Sequence, residues 1–212
     1  MIRVSFTMRV QVIRRIIVLG CLVVLTFVSP VSGAEEAPDV FVRETFNTLI
    51  GQLQQHRDAE TLDETTVREL FTKRLSPHID YLFLSRWILR DQWVDASETQ
   101  QDNFLSAFKA YIISTYALAL STGGGIEMAV KDAPKLRNNT AIVSADFAVD
   151  GSDPAALEFR LILREDKWLL FDVAFSGVSL ALTFKADFNY VARDGGITAV
   201  TEHLRRRSGN SL

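Results

Sequence analysis

Leu157-Glu158-Phe159-Arg160-Leu161-Ile162-Leu163-Arg164 is the stretch that decides the fold of this chain. Its odd-numbered positions are apolar while Glu158, Arg160 and Arg164 fall between them, the period of two that turns one face of a strand toward a core. Upstream, the turn cluster Asp150-Gly151-Ser152-Asp153 separates it from a second alternating run: Ala141, Val143, Ala145, Phe147 and Val149. Downstream, Glu165-Asp166-Lys167 makes the next turn, and residues 168–175 are apolar nearly throughout, as in a central strand covered on both faces. Ile126, Met128 and Val130 supply an earlier strand.

The flanking segments read as helices. Asp39 is placed to cap a first helix with Val42, Phe46, Leu49, Ile50 and Leu53 on one face. Asp63 opens a second, carrying Val67, Leu70, Phe71 and Leu75, and Pro77 ends it. A short third helix spans 79–89. Ser97 with Gln100 makes a capping box for the longest helix, striped by Phe104, Phe108, Tyr111, Ile112, Thr115 and Leu118 and stopped near Gly123. Helical spacing returns over 178–193, and a last helix ends in Arg205-Arg206-Arg207. Helices, then four consecutive strands, then helices argue for α+β, a helical layer against a meandering, mainly antiparallel four-stranded sheet.

The N-terminus carries Arg3, Arg9, Arg14 and Arg15 without an acid in its first 34 residues, then the apolar run 16–28, then small residues ending in Ser32-Gly33-Ala34. That is the order of an export signal, and the apolar run is short of the roughly 20 residues that span a bilayer. We expect residues 1–34 to be a cleavable signal peptide, cut after Ala34 or one residue earlier, and residues 35–212 to form a single domain. Val18-Leu19-Gly20-Cys21 is a poor lipoprotein box, because apolar residues run on for seven positions beyond Cys21.

Losing that segment takes four of 23 basic residues and leaves 19 against 26 acidic ones, a net charge of −7, which argues against nucleic acid as a partner. The only cysteine, Cys21, leaves with it, so neither disulfides nor thiol chemistry are expected. His56, His78 and His203 stand far apart without ligand spacing, and no metal or cofactor is expected. Ser76, His78 and Asp80 are too close together on a proline turn to line up as nucleophile, base and orienter. Gly123-Gly124-Gly125 follows a helix and precedes a strand, the reverse of a phosphate cradle, and reads as a helix stop. Asp172, inside an apolar run, needs a partner; it is expected to bond backbone amides or a nearby side chain near the start of the last helices, with general acid or base chemistry on an apolar substrate as the alternative. No catalytic residue is assigned. Twelve phenylalanines remain after residue 34, an excess that suits either a solid core or a lined cavity.

Trp93, Asp95, Ser97, Phe104, Phe108, Tyr111 and Tyr116, followed by Trp168-Leu169-Leu170-Phe171-Asp172-Val173 and Gly177-Val178-Ser179-Leu180, then Phe188 and Gly196, resemble the MlaC/toluene-tolerance family over roughly residues 40–204. Two departures stand out: Leu89-Arg90 where the family often has Leu-Gly, and Phe184-Lys185 where it has an aromatic-Arg pair.

The resemblance implies a periplasmic carrier in a Gram-negative bacterium, with a curved sheet and an acyl-chain cavity beneath the helices. It implies phospholipid as cargo, or a hopanoid in one branch, and as partners an inner-membrane ABC transporter with an MCE-type subunit and an outer-membrane lipoprotein–porin complex. On that resemblance the slot would take Leu75, Phe83, Trp87, Phe108, Ile112 and Tyr116 from helices, and Phe147, Phe159, Leu161, Leu163, Phe171, Val173 and Phe175 from strands. Lys185 is a candidate for the rim, or else a solvated helix residue.

Edman sequencing of the protein recovered from a secreting host tests the leader. Glu35 is expected as the first residue; a start upstream of Ile16 would contradict the assignment.

Overall fold

A computed structural model describes residues 36–209, which lie in one compact unit. The signal-peptide assignment for 1–34 lies outside the described residues.

Helix α1 (Pro38–Asp58) starts one residue before the expected cap: Ala37 occupies the cap, Pro38 takes the first position, where its missing N–H costs nothing, and Asp39 lies in the first turn. In α2 (Glu64–Leu70) the cap is as read, with the Asp63 carboxylate accepting from the Thr66 N–H at 2.7 Å. The chain then widens into a π-helical turn, Phe71–Leu75, and tightens into a 3₁₀ turn at Ser76–His78, where Pro77 sits. Helices α3 (Tyr81–Leu89) and α4 (Asp91–Val94) follow, then α5 (Glu98–Thr122), whose Ser97/Gln100 capping box is complete.

The sheet holds β1 (Ile126–Val130), β2 (Lys135–Arg137), β3 (Thr140–Val149), β4 (Ala155–Arg164), β5 (Lys167–Phe175) and β6 (Val178–Ser179), and α6 (Leu180–Val191) and α7 (Gly196–Gly209) close the chain. The four long strands are those read from the sequence; β2 and β6, of three and two residues, were too short to show a period and raise the strand count to six. The sheet is open and antiparallel in order β1-β3-β4-β5-β6, with β2 also pairing with β3.

One expectation is corrected. β5 is next to the edge, not central, for beyond it lies only β6. Its even residues are buried on both faces, Trp168 and Leu170 in the core beneath α1 and Asp172, past a register slip, against α6, so two-sided burial comes from helices near an edge.

The β4–β5 register slips at Phe171. Arg160 faces Asp172 while the next residue, Leu161, faces Leu170, so Phe171 is an extra, bulged residue. The bulge switches which residues of β5 share a face with Phe159 and Leu161: Trp168 and Leu170 before it, Val173 and Phe175 after it. Glu165 and Asp166 take φ of 47° and 60°, which closes the hairpin in two residues.

Burial divides into two cores. One lies among the helices around Phe104, Phe108, Ile88, Phe188 and Leu204. The other lies where α1 covers the sheet, with Phe41 and Val42 against Val143, Phe159, Leu161 and Trp168. Phe46 and Ile79 touch both.

Arg90, where the resemblance leads to an expected glycine, takes φ 44° and ψ −110°, a conformation that costs a side chain about 1–3 kcal/mol. Its own side chain is exposed. Arg90→Gly is therefore expected to raise stability by about 1 kcal/mol in urea denaturation, despite glycine's greater unfolded-state entropy; a loss of stability would show that the backbone there is unstrained.

Candidate functional site

The second core does not extend along the whole apolar face of the sheet. Beyond it, Phe147, Leu157 and Val173 continue that face, and helices stand across from them without closing the gap. The result is a cavity of about 360 Å³. Helix α1 supplies Phe46, Leu49, Ile50 and Leu53, and α5 supplies Ile112, Tyr116, Ala119 and Leu120. The π-helical turn brings Phe71 and Leu75 to the same wall, and π-turns are frequent at functional sites. Ile126 and Met128 of β1, and Leu180, Ala181 and Phe184 of α6, complete most of the lining. No Lys, Arg or His is among the lining residues. Ala119, Gly123 and Gly124 place part of the wall at the C-terminal end of α5, where Ala119 is exposed.

Of the thirteen residues expected in the slot, Leu75, Ile112, Tyr116, Phe147, Phe159, Phe171 and Val173 line the cavity. The other six lie elsewhere. Phe108 is wholly buried in the helical core, edge-on to Phe184 and Phe188. Leu161 and Leu163 pack in the sheet core beneath α1. Phe83 meets Phe171 edge-on from outside, with the Arg164 guanidinium over its ring. Trp87 lies under the Lys185 ammonium at 4.8 Å, which gives that lysine an aromatic partner. Phe175 is 44% exposed at the end of β5, edge-on to Phe147. The unanticipated contributors are chiefly those of α1, Phe71 and Phe184. The α1 stripe was visible as periodicity, but nothing in it told a core-facing from a cavity-facing turn.

The polar groups near the cavity are mostly engaged. The buried Asp172 carboxylate accepts from Arg160 Nη1 at 2.8 Å, Ser179 Oγ at 2.6 Å and the Ala181 N–H at 2.9 Å. Ser179 accepts in turn from the Leu182 N–H, so the pair caps α6 and moors it to β5. Bonds to one backbone amide and to nearby side chains at the start of α6 are the structural role read from the sequence. The glycine stop is likewise tied down: Asp150 Oδ1 accepts from the Gly125 N–H at 2.6 Å, and Arg57 donates to the Gly123 carbonyl at 2.8 Å. A Cβ at 124 would lie 1.6 Å from the Asp150 carboxylate, which would have to swing away and give up its bond to the Gly125 N–H. Burial pushes the Tyr116 hydroxyl up to about 12, helped by the neighbouring Tyr111 and Asp172. Among the described residues no cluster of three His, Cys, Asp or Glu could hold a metal.

An open antiparallel sheet under helices, with an apolar cavity between two cores, defines a binder of hydrophobic ligands. The chain belongs to the MlaC protein family, whose pattern matches residues 43–206. Its fold is also that of a phospholipid-binding protein from Ralstonia solanacearum, solved in complex with a phospholipid. The two superpose with a TM-score of 0.73 at 22% identity, covering 82% of this chain and 97% of that one.

Asp172→Ala would leave Arg160 without its buried partner and uncap α6, and is expected to lower stability by about 2–3 kcal/mol in chemical denaturation. A change below about 0.5 kcal/mol would mean that α6 is held mainly by its apolar contacts.

Proposed function

We propose that the protein is a soluble periplasmic lipid carrier that takes phospholipid acyl chains into this cavity. It would shuttle them between an outer-membrane lipoprotein–porin complex and an inner-membrane ABC transporter with an MCE-type subunit. The observation that carries this reading is the cavity itself: about 360 Å³, walled almost wholly by hydrocarbon and free of cationic side chains. Membership of the MlaC family and the likeness to a protein solved with phospholipid support it and point to binding and transport rather than catalysis.

Exposing acyl chains to water costs about 0.8 kcal/mol per CH₂, so a 16-carbon chain costs on the order of 12 kcal/mol. Unaided crossing of an aqueous compartment is therefore too slow to be useful. A carrier must match the bilayer closely: poorer surroundings extract nothing, and much better ones never release. An apolar slot that leaves the headgroup outside meets that requirement with little polar chemistry, as this lining does. An N-terminal segment removed on export would also free the carrier from the membrane that released it.

Val173 tests this reading better than Phe159, which is buried in the sheet core as well as lining the cavity, so that a charge there would threaten folding. With half-buried Val173 changed to Asp, binding of fluorescent phospholipid by delipidated protein is expected to fall at least tenfold while the circular dichroism spectrum is kept. Wild-type protein that neither binds nor transfers labelled phospholipid between vesicles would end the proposal.

A further inference from the structure

Tyr116 presents a phenol to the cavity, and its hydroxyl has no hydrogen-bond partner among the described residues. Tyr81 shares a hydrogen bond with Ser76 Oγ at 3.1 Å, and the Asp172 carboxylate already accepts three. The ring of Tyr116 is held by stacking on Phe71, with centroids 6.5 Å apart and planes 7° from parallel, so packing, not the hydroxyl, sets its orientation. A phenylalanine would satisfy that packing equally well. The hydroxyl is not sealed from solvent in the lipid-free protein, but acyl chains that fill the slot displace water from it, and a ligand that offers it an acceptor removes the resulting penalty. Because burial holds this phenol neutral far into alkali, it remains a donor at every physiological pH.

The lining narrows the choice of acceptor. With no Lys, Arg or His in the wall, and the negative charge of Asp172 nearby, an ionised phosphate would go uncompensated inside the cavity. A neutral oxygen fits. In a lipid whose chains occupy the slot, the neutral acceptor joined to the chain is the ester carbonyl.

We propose that the Tyr116 hydroxyl donates a hydrogen bond to the ester carbonyl of the bound lipid, so that the cavity distinguishes ester-linked chains from ether-linked ones of the same length. This rests on the lipid-carrier reading and adds to it a residue that sets depth and linkage preference in a slot otherwise indifferent to chemistry.

The test compares dipalmitoyl phosphatidylglycerol with its dihexadecyl ether analogue, each displacing fluorescent phosphatidylglycerol from delipidated mature protein. Wild type is expected to favour the ester by about tenfold, the worth of one well-made hydrogen bond. Tyr116→Phe should abolish the preference by weakening ester binding alone, and should leave the Tm of lipid-free protein unlowered. Equal weakening toward both lipids, a wild type that does not discriminate, or a Tm lowered by several degrees would overturn the inference. If neither lipid displaces the probe from wild type, the carrier reading itself falls, and this inference with it.

Discussion

The structure depends on a mismatch: the sheet offers more apolar face than α1 covers, and the remaining helices cannot close down on the excess. They cannot because their own apolar faces are already spent on one another. Phe104, Phe108, Phe184 and Phe188 form a continuous set of edge and stacked ring contacts, with Leu204 of α7 buried beside them. Collapse onto Phe147, Leu157 and Val173 would have to break that packing, and interiors packed at crystal density resist such deformation.

Two features hold the mismatch in place. The Asp172 network fixes where α6 begins, so that Leu180, Ala181 and Phe184 meet the cavity while Phe188 stays in the helical core. The Phe171 bulge re-aims β5, keeping Leu170 and Val173 against the same space although they are three residues apart. Each is a local arrangement of a few residues with a consequence for the shape of the whole lining.

The fold was largely legible because it is written in short-range chemistry. The periodicity of β3 and β4, the Asp63 cap, the Ser97/Gln100 box and the glycine stop each act within a few residues and stand as read. The site was about half legible, for reasons that particular residues make plain. Periodicity says that Phe108 and Leu161 face inward, but not which of two cores lies opposite. Phe175 shares the face of Val173 yet ends exposed at the last position of β5, and alternation carries no sign of that difference. The bulge leaves no trace in alternation, and without it β5 reads as a strand buried on both sides at the centre of the sheet. Arg90 is a different case: its departure from the expected Leu-Gly is visible in the sequence, but its positive φ is visible only in the fold.

The central claim is that the cavity exists to hold lipid, and its most direct test is to see what the protein carries. Mature protein purified without detergent from an exporting Gram-negative host, extracted with chloroform–methanol and examined by mass spectrometry, should yield phospholipid in near-stoichiometric amount. Folded protein that yields no lipid, and takes up none when offered vesicles, would contradict the account.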